Sequence, residues 1–467
     1  MLEAQQRPFG AGRTPTVRSR RARWLGAAAG LAAAVLPLLL TWGFTVDDAL
    51  VSARVAHHVG AGLGHRFNPS GAVVDAVTPL GWAHLLAPLA RAGVLPAWQG
   101  ARAVGLVAWL AAATWLGVTV FARGERTTRL VPLLTLVTSA PVAAWAGAGM
   151  ETGVVTALAT LALARSRGAL LAGGIAAGWR PELLPWAFTL AVGTAWADGD
   201  LAPRAPRPGR LAAAAALALG PALAVAALRA LWFGSPTPLS LLAKPSDLAH
   251  GARYAAAAAI WTGAPLLLAA PWGLARAAPR TRAAALALAV HWVALVAAGG
   301  DWMPLFRLAV PVLPGAVLVA AELAATTRPW STWARSLGAA GLGAALLLAQ
   351  GREVRRVAAR RLELVATARP LLAGARRVAA LDVGWVGAVG PFDVVDLAGI
   401  TDPTIAALPG GHTTKRVSHD LVDARDVDHV VLLLGPDATA ASPWASTTFA
   451  RGVEARVAED AWERGFE

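Results

Sequence analysis

The residues best able to do chemistry are charged side chains in short polar segments between long apolar stretches. The acids are Asp47, Asp48, Glu151, Glu182 and Asp301, and the cations are Arg54, Lys244 and Arg307. A carboxylate can accept a proton from a hydroxyl group, and a pair of cations can hold a phosphate group. Charge beside a membrane is costly, so acids and cations that gather at one membrane face indicate a site.

Two adjacent aspartates, Asp47 and Asp48, open a helix directly after the first apolar stretch. Capping explains one of them, because an aspartate at a helix N-terminus accepts hydrogen bonds from free backbone N–H groups. A second carboxylate exceeds what a cap needs, since the two negative charges repel each other. We therefore expect one of the pair, Asp48 rather than Asp47, to act as a base that the helix N-terminus keeps ionised.

Metal binding is an alternative use of the same carboxylates. A divalent cation held by Asp47, Asp48 and Glu151 is chemically reasonable, because oxygen ligands suit hard cations. A histidine site is disfavoured, because His57 and His58 are adjacent and point to different helix faces. The chain has no cysteine, which excludes thiolate metal sites, disulfides and thiolate catalysis.

Other charged groups have a structural explanation beside the functional one. Pairing of Arg180 with Glu182 would account for the charged break that these residues make in an apolar stretch. Glu151 fits the start of a helix. The Arg307 side chain, beside Asp301, suits either a lipid headgroup or the phosphate of a bound donor. Lys244 is one of two lysines in an arginine-rich chain and is the other candidate phosphate ligand, together with Arg54.

The composition indicates which elements position these groups. The chain has 467 residues, of which 56% are hydrophobic and 15% charged, and its mean hydropathy is +0.53. This profile is typical of a polytopic membrane protein with some soluble mass. The net charge of +14 is scattered between apolar segments, so it predicts membrane topology rather than a nucleic-acid partner.

Charge bias and hydropathy together predict about eleven transmembrane helices in an α-helical polytopic fold. The basic tail, residues 1–23, is expected in the cytoplasm, the membrane domain at 24–350, and a soluble domain at 351–467. The predicted helices lie at about 24–44, 98–121, 130–147, 152–164, two short halves around Arg180–Glu182, 211–232, 255–275, 283–298, 308–325 and 335–350. The segment 79–95 is expected to lie flat on the outer interface. In this arrangement every charged loop named above faces outward.

The long apolar stretches end at about residue 350, and the chain becomes more charged. A charged surface helix is predicted at Arg355–Arg361, followed by short strands at Val378–Val383, Asp393–Leu397 and Asp428–Leu434. These elements form a small α/β domain, which the odd number of helices places outside the cell. Asp382, Asp396 and Asp402 fall at strand ends and turns, where Asx turns explain them adequately.

One ionised carboxylate and two or three cations at an outward-facing membrane surface fit sugar transfer from a polyprenyl phosphate. The leaving phosphate is a stable anion and cations can hold its charge, so one base for the acceptor hydroxyl is enough. Glycoside hydrolysis would need a paired acid and base instead.

Several motifs, in order from about residue 41 to 405, are similar to those of the GT-C integral-membrane glycosyltransferases. The branch with the greatest likeness contains the actinobacterial terminal arabinofuranosyltransferases. The motifs are Asp47-Asp48-Ala-Leu-Val-Ser-Ala-Arg54, Gly64-His65-Arg66-Phe67-Asn68-Pro69, Thr78-Pro79-Leu80, Gly149-Met150-Glu151-Thr152, Arg180-Pro181-Glu182, Gly299-Gly300-Asp301-Trp302-Met303-Pro304-Leu305-Phe306-Arg307 and Asp396-Leu-Ala-Gly-Ile-Thr-Asp402-Pro403.

This resemblance implies a GT-C fold in the bacterial inner membrane, a polyprenyl-phosphate-sugar donor and inverting transfer. The acceptor would be a hydroxyl of an extracytoplasmic glycan, lipid or protein. It also implies an aspartate in the first external loop as the base, which is Asp47 or Asp48. Glu151, Glu182 and Asp301 would be supporting acids. Leu50 and Asp75 depart from the family pattern near the expected site, so the donor sugar stays open.

Two alternatives belong to other functional classes. A flippase or transporter of lipid-linked glycans would predict inverted repeats and polar residues near the middle of the bilayer. The chain instead shows no internal repeat, and its charges cluster at one surface. A non-catalytic cell-envelope assembly protein that retains the fold is the other alternative.

Overall fold

The computed structural model describes residues 17–122, 127–197, 207–263, 266, 273–435, 449 and 451–466. The described chain is mostly helical, with one small parallel sheet near the C-terminus. Most of the basic N-terminal tail, residues 1–16, lies outside the described residues.

Five of the described helices are long and apolar enough to cross a membrane. They are α1 (Val17–Thr41), α4 (Val94–Ala122), α10 (Arg207–Phe233), α13 (Pro279–Ala297) and α15 (Pro329–Leu371). The expectation of a mostly helical chain with several apolar helices long enough to cross a membrane is therefore confirmed, whereas eleven crossings stay a prediction, because the remaining helices are shorter.

Shorter helices fill the intervals between these five. They are α2 (Asp47–Gly60), α3 (Trp82–Leu86), α5 (Leu134–Val137), α6 (Ala140–Ala146), α7 (Thr152–Leu161), α8 (Arg167–Trp179), α9 (Leu184–Ala197), α11 (Leu239–Ala243), α12 (Leu248–Thr262) and α14 (Leu313–Leu323). The segment expected to lie flat on the interface forms α3 and a single 3-10 turn, Ala87–Leu89, which together are too short to cross a bilayer.

Small residues let the first two long helices pack closely. A Cβ atom added to Gly30 of α1 would lie 2.1 Å from the carbonyl oxygen of Ala113 in α4, and one added to Gly26 would lie 2.8 Å from that of Gly117. Small side chains at such contacts are typical of membrane helix pairs, where packing rather than water exclusion drives association. The pairing is antiparallel, so the start of α4 lies beside the end of α1 and the loop that carries Asp47 and Asp48.

Helix α15 replaces the two separate helices that were predicted on either side of residue 350. It continues without a break from Pro329 to Leu371, for 43 residues. The charged stretch predicted as a separate surface helix is its second half. The backbone N–H of Ala358 donates to the carbonyl of Gly43 at 2.8 Å, so α15 passes the end of α1 at this level. The membrane helix and the C-terminal domain are therefore joined by a continuous helix.

The C-terminal domain is built on three parallel strands in the order β2-β1-β3. They are β1 (Arg377–Ala380), β2 (Asp393–Asp396) and β3 (His429–Val431), which confirms the positions of the three predicted strands. Four short helices accompany them: α16 (Val383–Gly387), α17 (Pro403–Ala406), α18 (Leu421–Ala424) and α19 (Gly452–Glu463). Val378, Val394 and Trp385 are buried in the same apolar core as α2, so this domain packs directly on the membrane domain.

Candidate functional site

A cavity of about 350 Å³ lies where α2, α7, α11 and the loop after α13 meet. Six of the eight predicted site residues line it: Asp48, Glu151, Glu182, Lys244, Asp301 and Arg307. They come from five separate segments, each at or beside the end of a helix. The C-terminal domain contributes Ile400 to the wall, so both parts of the chain enclose the space.

The Asp48 carboxylate lies between two cations in this cavity. Its Oδ2 atom is 3.9 Å from Arg307 Nη1 and 4.0 Å from Lys244 Nζ. Both distances exceed the length of a hydrogen bond. The carboxylate therefore attracts both cations while other atoms have room to enter between them. The side chains of Asp48 and Lys244 are each 24% exposed. The arrangement places one proton acceptor next to two groups that suit an anion.

Arg307 is held more firmly than Lys244. Its Nε atom donates to Asp301 Oδ2 at 2.8 Å, and its guanidinium lies 5.6 Å from the centre of the Trp145 ring. The Trp145 indole N–H in turn donates to the carbonyls of Pro304 and Leu305, at 3.2 and 3.1 Å. The arginine therefore keeps one orientation, with its Nη1 atom directed at Asp48.

The loop before Arg307 has an unusual backbone. Gly299 and Gly300 have φ angles of 82° and 72°, and Leu305 and Phe306 have φ angles of 58° and 52°. A side chain at positive φ costs roughly 1–2 kcal/mol, and glycine avoids that cost. A Cβ atom on Gly300 would also lie 2.7 Å from Tyr254. The strain at Leu305 and Phe306 is sustained by the packing around them, and it brings Asp301 and Arg307 together.

Glu151 and Glu182 share one partner, Arg180. Its Nη1 atom is 3.0 Å from Glu151 Oε1, and its guanidinium is 2.7 Å from Glu182 Oε1. The predicted pairing of Arg180 with Glu182 is therefore present, and Glu151 completes a buried triad. Removing one member of such a triad is costly, because it leaves a buried charge without its partner. The triad forms the floor of the cavity, and within the described ranges it leaves Asp48 as the acid there without a partner at hydrogen-bond distance.

Asp47 points away from the cavity, toward the C-terminal domain. Its two carboxylate oxygens accept hydrogen bonds from the backbone N–H groups of Gly384 and Trp385, at 2.7 and 2.9 Å. These N–H groups belong to the first turn of α16. Burial raises the pKa of Asp47 to about 7, Asp382 nearby adds to the rise, and the two backbone hydrogen bonds oppose it. Asp47 therefore serves as a contact between the two parts of the chain.

Arg54 requires a correction. It was expected to bind donor phosphate, but it does not line the cavity and is buried against the C-terminal domain. Its guanidinium donates to the carbonyls of Phe67 at 2.9 Å, Phe392 at 2.5 Å and Gly390 at 3.3 Å, and also to that of Gly387. With its N–H groups occupied by backbone carbonyls, Arg54 has a structural role.

The divalent-cation alternative is also not supported by the arrangement. Within the described ranges, no three histidine, aspartate or glutamate side chains approach closely enough to hold a metal ion. Asp47 faces α16 and Glu151 faces Arg180, so neither joins Asp48.

A further ion pair, which was not predicted, shapes another wall. Arg229 lies near the end of α10, where its Nε atom is 2.6 Å from Asp75 Oδ2 and its Nη2 atom donates to the carbonyl of Thr78 at 2.5 Å. The Thr78 hydroxyl is 2.8 Å from that of Ser240, and both residues line the cavity. An arginine inside an apolar stretch needs a partner, which was the available signal.

An aromatic group at the cavity was missed as well. Trp302 lines the cavity, His250 stacks on it with ring centres 4.1 Å apart, and His412 of the C-terminal domain lies 5.9 Å away. The three residues are far apart in the sequence, so periodicity and spacing contain no signal that they meet.

Comparison with known proteins gives one match. A family model described as a domain of unknown function (DUF8728) matches residues 351–464. The matched segment comprises the second half of α15 and the C-terminal domain, and it carries no statement of activity. No curated protein and no solved structure matches the chain.

Proposed function

We propose that the protein is a membrane glycosyltransferase that moves a sugar from a polyprenyl-phosphate donor to a hydroxyl group of an extracytoplasmic glycan, lipid or protein. One observation carries the proposal: the Asp48 carboxylate lies in a cavity 3.9 and 4.0 Å from Arg307 and Lys244. A base beside two cations matches a reaction that removes a proton and releases a phosphate.

The proposed reaction needs three groups. The acceptor oxygen attacks the anomeric carbon and gives its proton to the Asp48 carboxylate as the new bond forms. The bond from the anomeric carbon to the phosphate oxygen breaks, and its electron pair leaves with the polyprenyl phosphate. Lys244 and Arg307 hold that phosphate, and the opposite approach of acceptor and leaving group inverts the configuration. Asp301 positions Arg307, and Arg180 with its two glutamates fixes the cavity floor.

The location of the cavity supports a lipid-borne donor. The segments that carry Asp48, Lys244 and Arg307 follow the C-terminal ends of α1, α10 and α13, each a candidate membrane helix. At the opposite end of the bundle, Arg280 at the start of α13 donates to the carbonyls of Leu163 and Ala164, just after α7. Helices α1, α10 and α13 all end at the cavity, as the proposed eleven-pass arrangement requires. The positive-inside tendency supports a cavity on the extracytoplasmic face of a bacterial inner membrane.

The test uses the full-length protein in lipid nanodiscs. Radiolabelled polyprenyl-phosphate arabinose, mannose and glucose are offered in turn as donors, with short synthetic oligosaccharides as acceptors. We expect transfer from one donor, and a fall of about 10²- to 10⁴-fold in Asp48→Asn. Glu353→Gln is the matched control, because this exposed acid lies on α15, outside the cavity, and pairs with the exposed Arg360. Transfer that is equal in Asp48→Asn and wild type would remove the proposed base, and a lack of transfer from every donor would remove the proposed activity.

A further inference from the structure

Trp302 combines two properties that seldom occur together. Its indole lines the cavity, yet 64% of the residue is exposed. One face of the ring is covered by His250, with ring centres 4.1 Å apart and planes 13° apart. Burying an indole removes a large apolar area from water, so an exposed indole beside a polar cavity favours the binding of a ligand.

The ring is also held in place. The His250 Nδ1 atom is 2.7 Å from the carbonyl oxygen of Gly299, and the His250 backbone N–H donates to Asp247 Oδ1 at 3.0 Å. His250 therefore sits in the capped first turn of α12 and supports the indole from one side. A supported ring loses little freedom when a ligand stacks on it, which favours binding.

Polar groups surround the ring. His412 of the C-terminal domain lies 5.9 Å from it with its plane tilted by 53°. Burial and the nearby Lys244 ammonium lower the pKa of His412 to about 4, so at neutral pH this imidazole is uncharged and can both donate and accept a hydrogen bond. Asp301 and Lys244 also line the cavity.

We propose that Trp302 is a stacking platform for a sugar ring, with His412 binding a hydroxyl of the same sugar across the entrance of the cavity. A sugar has an apolar C–H face that packs on the negative face of an indole, and a polar edge that needs hydrogen-bond partners. The assignment of this sugar as the acceptor rests on the proposed function, whereas its binding to Trp302 does not.

A lipid contact is the competing use of an exposed tryptophan at a membrane surface. The neighbours favour a sugar, because a lipid chain on the ring would bring hydrocarbon against the His412 imidazole and the Asp301 carboxylate, which it cannot hydrogen-bond. The cavity behind the ring also holds Asp48, which places the bound sugar beside the proposed base.

Binding is tested without turnover. The full-length protein in nanodiscs is mixed with free tri- and tetrasaccharides of arabinose, mannose and glucose, and bound sugar is detected by saturation-transfer NMR. We expect wild type to bind one of these sugars and Trp302→Ala to bind it about tenfold more weakly. Trp302→Phe should recover part of the loss, because a smaller aromatic face remains. Trp330→Ala is the matched control, since that residue is 67% exposed at the start of α15.

The outcomes separate the two proposals. Equal sugar binding by wild type and Trp302→Ala, or no binding by wild type to any sugar, would overturn the platform. If the sugar binds at Trp302 but no polyprenyl-phosphate donor is used, the proposed transferase activity fails and the platform stands. If transfer occurs and Trp302→Ala keeps the acceptor KM of wild type, the activity stands and the platform fails. The expected result is a raised acceptor KM in Trp302→Ala and His412→Ala, with an unchanged donor KM.

Discussion

Replacing each of the two adjacent aspartates separately tests whether Asp48 serves catalysis and Asp47 serves the fold. Asp48→Asn removes the carboxylate next to Lys244 and Arg307 without changing the size of the side chain. Asp47→Asn keeps one acceptor oxygen for the first turn of α16 and loses the other. The two variants have the same composition and differ only in the direction in which the altered side chain points.

The expected magnitudes differ by more than the error of either assay. A general base contributes about 10²- to 10⁴-fold to a rate, which is about 3–5 kcal/mol of activation free energy. The loss of one hydrogen bond from α16 costs about 1 kcal/mol of stability. In a chain of this size that lowers Tm by about 1 °C. Asp48→Asn should therefore lose activity at unchanged Tm, and Asp47→Asn should lose stability and keep activity within a factor of about ten.

The assay measures sugar transfer in nanodiscs at pH 7 and thermal unfolding at pH 6 by intrinsic fluorescence on the same preparations. Rates are normalised to folded protein, so that a change in stability is not counted as a change in catalysis. If Asp47→Asn loses as much activity as Asp48→Asn at an unchanged Tm, the division of roles between the two residues is wrong. The same follows if Asp48→Asn is fully active.

Four further predictions concern the surrounding groups. Arg180→Gln leaves Glu151 buried without its partner and should cost about 3–5 kcal/mol, seen as a large fall in Tm. A lysine in place of Arg54 cannot donate to all the carbonyls that Arg54 contacts, so in Arg54→Lys limited proteolysis should release the C-terminal domain faster while the donor KM stays unchanged. Lys244→Met should raise the donor KM about tenfold at unchanged Tm. The Asp47 carboxyl, with a pKa of about 7 in the folded protein and 3.8 as its ordinary value, stabilises the fold fully below about pH 4. That stabilisation is lost as the pH rises to about 7, so Tm should fall over this range, and less so in Asp47→Asn.

Much of the site could be predicted because membrane helices restrict where charge is placed. Long apolar stretches leave few positions for acids, so Asp48, Lys244 and Arg307 stand out in the sequence and meet at helix ends in the structure. The difference between Asp47 and Asp48 could be expected only in part. Adjacent residues on a helix point about 100° apart, so both cannot face one cavity. Which of them meets α16 depends on a segment more than 330 residues away.

The error at Arg54 has a physical cause: most of its partners are distant in the sequence. Arg54 lies in the helix that begins with the two aspartates, yet three of the four carbonyls that bind it lie at or just after the end of α16. The prediction of separate helices on either side of residue 350 was wrong for another reason. Backbone hydrogen bonds continue through a change from apolar to charged side chains, and only a residue such as proline would have ended the helix. The Trp302 and His412 pair depends on how the two domains pack together, which composition does not encode.

The unbroken length of α15 has a mechanical consequence. At 1.5 Å per residue, 43 residues form a strut about 64 Å long, roughly twice the thickness of the hydrocarbon layer. The helix sets both how far the sheet domain lies from the membrane domain and how the sheet domain is rotated about the helix axis. Adding one residue to its charged half would turn that domain by about 100° and raise it by about 1.5 Å, which is enough to carry His412 away from Trp302.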